Sequence, residues 1–387
     1  MPAQHTGRLR TLAYPPGEEF IAAFDEAWDR GDAVLPLDPA APAAVRDRLL
    51  AAVRPDEPLE PDVALVIATS GSTGEPKGVL LSRDAVHASG EAAYARIGRD
   101  PNDRWVSCLP WQHIGGLQVM LRARMFGLPL TILDRFDVDR FAAVDATLAS
   151  IVPTQLARLL DAGVDLSRFR VILVGGAATP APLLARALDA GAPIVTTYGM
   201  SETCGGCAYS GVPLDGIDIR LGPGGRIEVR GPTVMSGYRL RPDLSEQALV
   251  GGWLLTADIG AFGRDGRLDV RGRVDDVVIS GGENVVTTHV AAVLSGHPAL
   301  DAVAVTGVDD PEWGQRVVAV AVVRPGQPTP TLAEVREWCA DRLDPPSRPR
   351  GLVVVANVPM LGSGKPDRQA IRRLAERADR PGQAAEA

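Results

Sequence analysis

Two short segments of this sequence contain residue types that could bind phosphate groups. The first, SGSTGEPKG (residues 70–78), combines hydroxyl side chains, glycines and Lys77 directly after the apolar run VALVIA. Glycines let backbone N–H groups approach an anion closely, and the lysine adds a compact positive charge. It is not a Walker A loop, because Pro76 precedes the lysine and Gly78 follows it. The segment predicts an anion-binding loop; the alternative is an ordinary surface loop between a strand and a helix.

The second segment, LGSGKPDR (residues 361–368), contains Lys365, which with Lys77 makes the only two lysines among 40 lysines and arginines. Lysine places a compact charge at the end of a thin stem, whereas arginine is planar and forked. In so arginine-rich a chain, two lysines in two Gly/Ser segments indicate two places where that geometry matters. The alternative for Lys365 is an exposed side chain that only aids solubility.

YGMSET, residues 198–203, brings an aromatic ring, hydroxyl groups and a carboxylate together. Tyr198 could stack on a base, and Glu202 could bind Mg²⁺, which prefers oxygen ligands beside phosphates. The alternative is a helix N-terminus capped by serine or threonine. Further on, Asp258 in WLLTADIG is expected just after an apolar strand, where it could accept ribose hydroxyls; its alternative is a surface turn.

Cys204 and Cys207 have the spacing of a redox or zinc-binding pair. A structural zinc site needs two more ligands, and the other cysteines and the five histidines form no second pair with that spacing. Small residues that line a pocket are therefore the favoured interpretation of CGGC.

Composition excludes several classes of protein. The formal charge of −8 and the pI near 5.3 argue against a nucleic-acid-binding surface, which needs clustered positive charge. The sequence starts without an apolar signal segment and has no apolar stretch long enough to span a membrane. Four cysteines are too few for a disulfide scaffold, so we expect a cytoplasmic protein.

The order of apolar runs predicts an α/β fold. Through residues 63–199, strand-length runs end in glycine turns and alternate with helical patterns, which places ligands at the carboxyl ends of the strands. From about residue 216, short strands with Gly-rich turns predict an antiparallel sheet. We expect a large multi-subdomain N-terminal α/β domain (1–274) and a small, mobile α+β C-terminal domain (275–387). Their boundary is expected in the charged segment 265–276.

Five ordered motifs resemble those of the adenylate-forming superfamily of acyl-CoA synthetases, adenylation domains and luciferases. They are TSGSTGEPKG, YGMSET, WLLTAD, GRVDDVVISGGENV and PMLGSGK, and they extend from residue 69 to residue 365. Ala257 departs from the glycine that is common in the family. The region before the phosphate loop is much shorter than in most relatives, so the N-terminal domain is abbreviated at its start.

The resemblance implies ATP, Mg²⁺ and CoA as ligands, with roles for particular residues. The implied ATP-binding residues are Thr69, Ser70, Gly71, Ser72, Thr73, Gly74 and Lys77 at the β- and γ-phosphates, Gly176, Ala177, Ala178 and Tyr198 around adenine, and Asp258 and Arg273 at the ribose. The implied catalytic residues are Thr203 at the α-phosphate, Glu202 at Mg²⁺ and Lys365 between the substrate carboxylate and the α-phosphate. The implied hinge is Asp275, and the CoA side is formed by Ser280, Gly281 and Gly282.

The acid-binding region is similar to that of the o-succinylbenzoate–CoA ligases of menaquinone biosynthesis. LPWQHIGGLQVMLRARMFG (residues 109–127) implies that His113 gates the pocket, with Gly199 beside it, and that Arg122 holds a second carboxylate. The alternative is that Arg122 is a surface arginine. Its apolar neighbours favour an inward orientation, where a charge needs an anionic partner.

Two other hypotheses remain at this point. One is a ligase for another aryl or short acyl acid, or a stand-alone adenylation enzyme that loads a carrier protein. The other is a non-catalytic nucleotide-binding protein on the same fold, against which Lys365, Glu202 and Asp258 argue. The expected partners are a small carboxylic acid, ATP and CoA, without nucleic acid or a membrane; a homo-oligomer is compatible with the sequence.

Overall fold

The chain folds into four β-sheets with helices packed between and around them. A computed structural model describes residues 7–60, 62–70, 75–360 and 366–378. None of the helices in these ranges is both long enough and apolar enough to cross a bilayer.

Within these ranges the strands follow one another along the chain in this order. They are β1 (Leu9–Leu12), β2 (Ala33–Pro36), β3 (Val63–Ser70), β4 (Pro76–Ser82), β5 (Trp105–Ser107), β6 (Leu130–Ile132), β7 (Leu148–Ile151), β8 (Val171–Val174), β9 (Ile194–Met200), β10 (Gly205–Tyr209), β11 (Val212–Pro213), β12 (Asp218–Leu221), β13 (Arg226–Arg230), β14 (Gly237–Tyr238), β15 (Leu249–Val250), β16 (Trp253–Phe262), β17 (Leu268–Arg273), β18 (Val277–Ser280), β19 (Glu283–Val286), β20 (Leu300–Asp310), β21 (Gly314–Val323) and β22 (Gly351–Val354).

The α-helices of the same ranges are listed in the same way. They are α1 (Glu18–Asp29), α2 (Ala43–Val53), α3 (Arg83–Arg96), α4 (Ile114–Met125), α5 (Val138–Ala143), α6 (Pro153–Asp161), α7 (Ala181–Asp189), α8 (Pro242–Ala248), α9 (Thr287–Leu294), α10 (Leu332–Trp338) and α11 (Arg368–Ala378).

The first sheet has the order β1-β2-β3-β4-β14, and its strands β3 and β4 form an antiparallel pair. In this pair, Thr69 of β3 lies opposite Lys77 of β4. The prediction that Lys77 lies in the glycine loop is therefore wrong, because the residue belongs to strand β4. Pro76–Ser82 is apolar enough to form a second strand, and α3 begins only after it, with Ser82 accepting a hydrogen bond from the Ala85 N–H at 3.0 Å.

The second sheet provides the α/β architecture that the sequence predicts. Its order is β11-β10-β9-β8-β7-β5-β6, and the strands from β6 to β9 are parallel. Crossover helices bury both faces of such a sheet, which is why β8, with the sequence VILV, is apolar at every position. The carboxyl ends of β8 and β9 meet at one edge, where ligands bind in open α/β sheets.

Helices α3 and α4 lie between the first and second sheets. One apolar core joins Leu65 and Val79 of the first sheet to Leu117 of α4, and a second core joins Val119 of α4 to Trp105 of the second sheet. Every residue of α4 from 116 to 123 is buried as a result. A helix enclosed on all sides is normally apolar, so any polar side chain in this part of α4 needs a reason.

The last two sheets divide the C-terminal half of the described chain. The third sheet is antiparallel and ends with β17, as the Gly-rich turns after residue 216 predict. The fourth sheet begins with β18 and packs against α9 and α10. Much of the segment expected to be a boundary, 265–276, forms β17, and a short 3₁₀ turn at Val274–Asp276 joins the two sheets. The capping box of α10 is confirmed, with Thr331 and Glu334 exchanging hydrogen bonds.

A buried arginine connects the first sheet to the segment that leads into it. The Arg239 guanidinium donates hydrogen bonds to the carbonyls of Val53, Arg54, Glu57 and Pro58 at 2.7–3.1 Å. Because Arg239 directly follows β14, and its own N–H donates to the Gly78 carbonyl at 2.8 Å, these bonds attach residues 53–58 to the strand that carries Lys77.

We predict that Arg239→Lys lowers the free energy of unfolding by about 3 kcal/mol, because lysine cannot reach several carbonyls in one plane and leaves buried acceptors unpaired. Urea-induced unfolding followed by circular dichroism measures the change. The matched control is Arg241→Lys, an exposed arginine paired with Asp243, which is expected to shift stability by less than about 0.5 kcal/mol. Equal effects of the two substitutions would contradict the role given to Arg239.

Candidate active site

The residues expected around adenine lie at the carboxyl ends of β8 and β9. Gly176, Ala177 and Ala178 follow β8 and are exposed, while Tyr198 and Gly199 belong to the last residues of β9. Gly199 must be glycine, because a Cβ atom there would lie 2.0 Å from the carbonyl oxygen of Gly205 on the paired strand β10. The strand order thus places this group on one edge of the sheet.

Tyr198 is connected to the expected ribose-binding pair. Its hydroxyl donates to Asp258 Oδ2 at 2.9 Å, and Arg273 lies opposite Asp258 in the β16–β17 register, with Nη1 and Oδ1 3.8 Å apart. Asp258 lies inside β16, so its expected position after the strand is wrong. Burial raises the pKa of the Asp258 carboxyl, while Tyr198 and Arg273 act to lower that pKa. A carboxylate has about four lone-pair sites, so Asp258 has capacity to accept hydrogen bonds from two sugar hydroxyls as well.

Glu202 lies in the 3₁₀ turn Ser201–Thr203 that follows β9. One of its carboxylate oxygens accepts a hydrogen bond from the Tyr238 hydroxyl at 2.9 Å. The same tyrosine ring lies beneath Lys77, whose Nζ is 4.4 Å from the ring centroid. The next residue, Thr203, is buried, and its hydroxyl donates to the Gly205 carbonyl at 2.7 Å and accepts from the Met200 N–H at 2.9 Å.

The arrangement around Glu202 suits a magnesium ion that is held mainly by phosphates. No cluster of three or more His, Cys, Asp or Glu side chains occurs among the residues that the structure describes. Glu202 is half-buried and forms no ion pair within those residues, so part of its carboxylate remains available. Mg²⁺ usually takes one or two protein carboxylates and completes its octahedron with phosphate oxygens and water. Glu202 therefore fits the role of a single protein ligand.

The phosphate segment is described at its two ends. Ser70 ends β3 and Lys77 lies on β4, whereas Gly71, Ser72, Thr73 and Gly74 fall outside the described residues. The hydroxyl of Thr69 is buried and has no hydrogen-bond partner in the described parts of the chain. A buried hydroxyl needs a hydrogen-bonding partner, so Thr69 calls for a further group at this end of β3.

Arg122 lies inside the protein, on the enclosed part of α4. Only 5% of the residue is exposed, and its Nε is buried without a hydrogen-bond partner among the described residues, none of which forms an ion pair with it. Its guanidinium carbon is 5.7 Å from the centroid of the Trp105 ring. The alternative of a surface arginine is therefore wrong. A buried cation without an anion is costly, so this position calls for an anionic ligand.

Two neighbours of Arg122 also have unpaired polar atoms. Gln118, one helical turn earlier, donates to the Cys204 carbonyl at 2.8 Å and to Ser89 at 3.2 Å, but its Oε1 is buried without a partner in the described ranges. The Trp105 indole N–H is likewise buried and unpaired there. His113 is the exposed N-cap residue of α4, and Arg122 lies on the buried part of the same helix; that His113 gates the acid site stays a prediction.

The residues expected on the CoA side form the turn between β18 and β19. Ser280 is buried, Gly281 adopts φ 62° and packs against Trp313, and Gly282 adopts φ 83° with open space beside it. A Cβ at Gly281 would lie 2.9 Å from the indole ring, so both the backbone and the contact require glycine. Asp275 belongs to the 3₁₀ turn Val274–Asp276, and Lys365 lies outside the described residues.

Cys204 and Cys207 are not a reactive pair. Both are fully buried, and burial raises the pKa of each thiol to about 12. A thiol with so high a pKa is almost entirely protonated at neutral pH and is a poor nucleophile. That the small residues of CGGC line a pocket stays a prediction.

Sequence reasoning missed the residues that connect the site. No motif surrounds Tyr238, Gln118 or Trp105, so the sequence alone gives no reason to select them. Two weak signals exist: a glutamine within the apolar run that precedes Arg122 in α4, and the Ser-Gly-Tyr segment before Arg239. Neither signal names the partner, since the contacts join residues far apart in the chain.

The AMP-binding enzyme family matches residues 21–239, and the AMP-binding enzyme C-terminal domain matches residues 289–365. A probable 2-succinylbenzoate–CoA ligase from Mycobacterium tuberculosis is 42% identical over 348 residues, which cover 86% of this chain and 90% of that protein.

Solved structures show the same relationship. The o-succinylbenzoate CoA synthetase of Bacillus subtilis in complex with its acyl-adenylate intermediate is 27% identical, with a TM-score of 0.82 over 95% of this chain and 88% of that one. The same enzyme in complex with ATP and a magnesium ion gives 26% identity and a TM-score of 0.81, over 96% and 90% of the two chains. The order of motifs, the sheets that carry them and these matches together establish that the chain belongs to the AMP-binding enzyme family.

Proposed function

We propose that this protein is an AMP-forming acid–CoA ligase that converts o-succinylbenzoate to o-succinylbenzoyl-CoA through an acyl-adenylate. The observation that carries the choice of acid is Arg122, a buried cation without an anionic partner among the described residues. The relatives named above support the reaction, since their names state this acid and this activity.

The reaction has two balanced steps. In the first, an oxygen of the succinyl carboxylate attacks the α-phosphorus of ATP, the bond to the bridging oxygen of the β-phosphate breaks, and pyrophosphate leaves. In the second, the thiol of CoA loses its proton, the sulfur attacks the acyl carbon, and AMP leaves. Negative charge meets negative charge in the first step, so catalysis depends on preorganised positive groups and hydrogen-bond donors.

We assign different groups of the described residues to the nucleoside, to the triphosphate and to Mg²⁺. Tyr198, Asp258 and Arg273 form one connected group, which we assign to the nucleoside. Lys77 and Glu202 meet at Tyr238, and we assign them to the triphosphate and to Mg²⁺. When bound by Glu202, the ion neutralises charge on the phosphate oxygens. Lys365 is assigned by resemblance to the point where the carboxylate meets the α-phosphate.

Arg122 selects an acid with two carboxylates. One carboxylate must react at the phosphate end, so the other is available for a distant cation. Leaving a charge buried and uncompensated costs several kcal/mol, and an aromatic carboxylate bound to Arg122 offsets that cost. We expect the ring of that acid to pack against the apolar residues around α4. An acid with a single carboxylate would leave Arg122 uncompensated, and for that reason we expect it to be a poor substrate.

The two steps require different surroundings for the adenylate, and we propose that the C-terminal part moves between them. The third sheet ends at Arg273 and the fourth begins at Val277, which supports a boundary between residues 274 and 275 with Asp275 as the hinge. Rotation there would withdraw Lys365 and bring Ser280, Gly281 and Gly282 to the thiol path. The ion pair between Arg368 and Asp276, at 2.6 Å, joins α11 to this turn.

The cosubstrates ATP and CoA support a cytoplasmic location for this reaction, which we include in the proposal. Pyrophosphate release from the purified protein tests the function directly. With ATP, Mg²⁺ and CoA, we expect turnover with o-succinylbenzoate and little with benzoate or fatty acids. Turnover with another acid would keep the ligase and discard the substrate. Turnover only with a carrier protein as acceptor would make it a loading enzyme, and no release with any acid would leave a nucleotide-binding protein.

We predict that Arg122→Gln raises the KM for o-succinylbenzoate by about a hundredfold, because a charged hydrogen bond to a buried carboxylate is lost, while the KM for ATP stays the same. The matched control is Arg124→Gln, two residues further on α4, where the arginine is exposed and paired with Asp25 at 2.5 Å. A second acid, 4-oxo-4-phenylbutanoate, lacks the ring carboxylate. It should be no poorer for Arg122→Gln than for the wild type, because the variant has no buried charge to compensate. A further loss with this acid would show that Arg122 acts on something other than that carboxylate.

For Lys365→Ala we expect the adenylation step to fall by a hundredfold or more, whereas the reaction of CoA with synthetic acyl-adenylate should be largely retained. Pyrophosphate exchange measures the first step, and thioester formation from the synthetic intermediate measures the second. The two half-reactions control for each other in one variant, since misfolding would lower both. An equal loss in both steps would refute the role assigned to Lys365.

A further inference from the structure

Tyr238 contacts both Glu202, which the proposed function assigns to Mg²⁺, and Lys77, which it assigns to the triphosphate. Its hydroxyl donates to Glu202 Oε1 at 2.9 Å, and its ring face lies 4.4 Å from Lys77 Nζ. Only 8% of the residue is exposed. A single buried side chain therefore contacts both the carboxylate assigned to the metal and the ammonium assigned to the phosphates.

The backbone around Tyr238 holds these two residues in register. The Met235 N–H donates to the Glu202 carbonyl at 2.9 Å, and the Ser236 N–H donates to the Leu80 carbonyl at 2.9 Å. In the β14–β4 pair, Tyr238 lies opposite Val79, two residues from Lys77. Residues 235–239 thus connect the turn that carries Glu202 with the strand that carries Lys77, and Tyr238 adds a side-chain link on the same segment.

Each contact restricts the group it touches. The hydroxyl occupies one oxygen of Glu202, which fixes the rotation of the carboxylate and leaves the other oxygen for a ligand. The negative face of the ring attracts the Lys77 ammonium without neutralising it as a carboxylate would. An ionised carboxylate only accepts hydrogen bonds, so the Tyr238 hydroxyl is the donor in its contact with Glu202.

We propose that Tyr238 is a positioning residue that orients Glu202 and Lys77 together, so that the metal ion and the triphosphate bind as one unit. This inference rests on the proposed function, which assigns Glu202 to Mg²⁺ and Lys77 to the phosphates. Residues that orient a metal ligand commonly change metal affinity by tenfold or more when they are removed, although they never touch the ion.

Tyr238→Phe tests the hydroxyl alone, because the ring that faces Lys77 remains. Calorimetry of ATP binding to the full-length protein is carried out in EDTA and across a Mg²⁺ titration, with Mn²⁺ binding followed by electron paramagnetic resonance. We expect about tenfold weaker metal binding in the presence of ATP and unchanged ATP affinity in EDTA. Wild-type metal dependence in this variant would overturn the proposal, and so would an equal loss of affinity with and without metal.

Tyr94→Phe is the matched control for this experiment. Tyr94 is also buried, and its hydroxyl donates to a carboxylate, that of Asp103, at 3.0 Å, but it lies in the other core, against Phe126. The same atom is thus removed from the same kind of hydrogen bond. We expect both ATP affinities and the Mn²⁺ signal to match the wild type; a metal defect in Tyr94→Phe would show that the effect comes from lost stability.

Tyr238→Leu tests the ring. We expect ATP affinity in EDTA to fall as well, because Lys77 loses its aromatic partner. If Tyr238→Leu and Tyr238→Phe bind metal-free ATP equally, the part of the proposal that concerns Lys77 is wrong. These outcomes are separate from the proposed function, which fails if the wild type itself shows no metal-dependent binding of ATP.

Discussion

The enclosure of α4 between two β-sheets is the constraint on which the acid site depends. Residues 116–123 have no face toward solvent, so a polar side chain there must find its partner inside the protein. Arg122 and Gln118 both lie in this part of the helix, and each keeps an atom that no described residue satisfies. The packing that stabilises the fold therefore leaves Arg122 and Gln118 in need of a hydrogen-bonding ligand. Because α4 is rigid, the position of that ligand along the helix is fixed.

A second set of contacts connects Glu202 and Lys77, the residues that we assign to Mg²⁺ and to the phosphates. Strand β14 is only two residues long, yet it pairs with β4, and the segment around it reaches Glu202 on one side and residues 53–58 on the other. Lys77 is therefore held by the sheet rather than by a loop. This pairing and the buried Arg239 give the lysine its support.

The sequence predicted the large-scale order well and the local settings less well. The α/β alternation, the antiparallel region after residue 216 and the capping box at Thr331 follow from short-range patterns, which is why periodicity and turn residues reveal them. The sequence predicts Lys77 in a loop and Asp258 just after a strand, although both lie inside strands. Tyr238 could not be found, because its role consists of contacts with Lys77 and Glu202, and no local pattern encodes such long-range pairs.

The burial of the thiols has a practical consequence for studying motion in this enzyme. All four cysteines, Cys108, Cys204, Cys207 and Cys339, are buried, and none is in a disulfide. If one cysteine were introduced on each side of the turn Val274–Asp276, these two would therefore be the accessible thiols of the folded protein. Maleimide dyes or nitroxide labels could be attached there without replacing any native cysteine. The distance between two such labels, followed through turnover, would record how the C-terminal part moves.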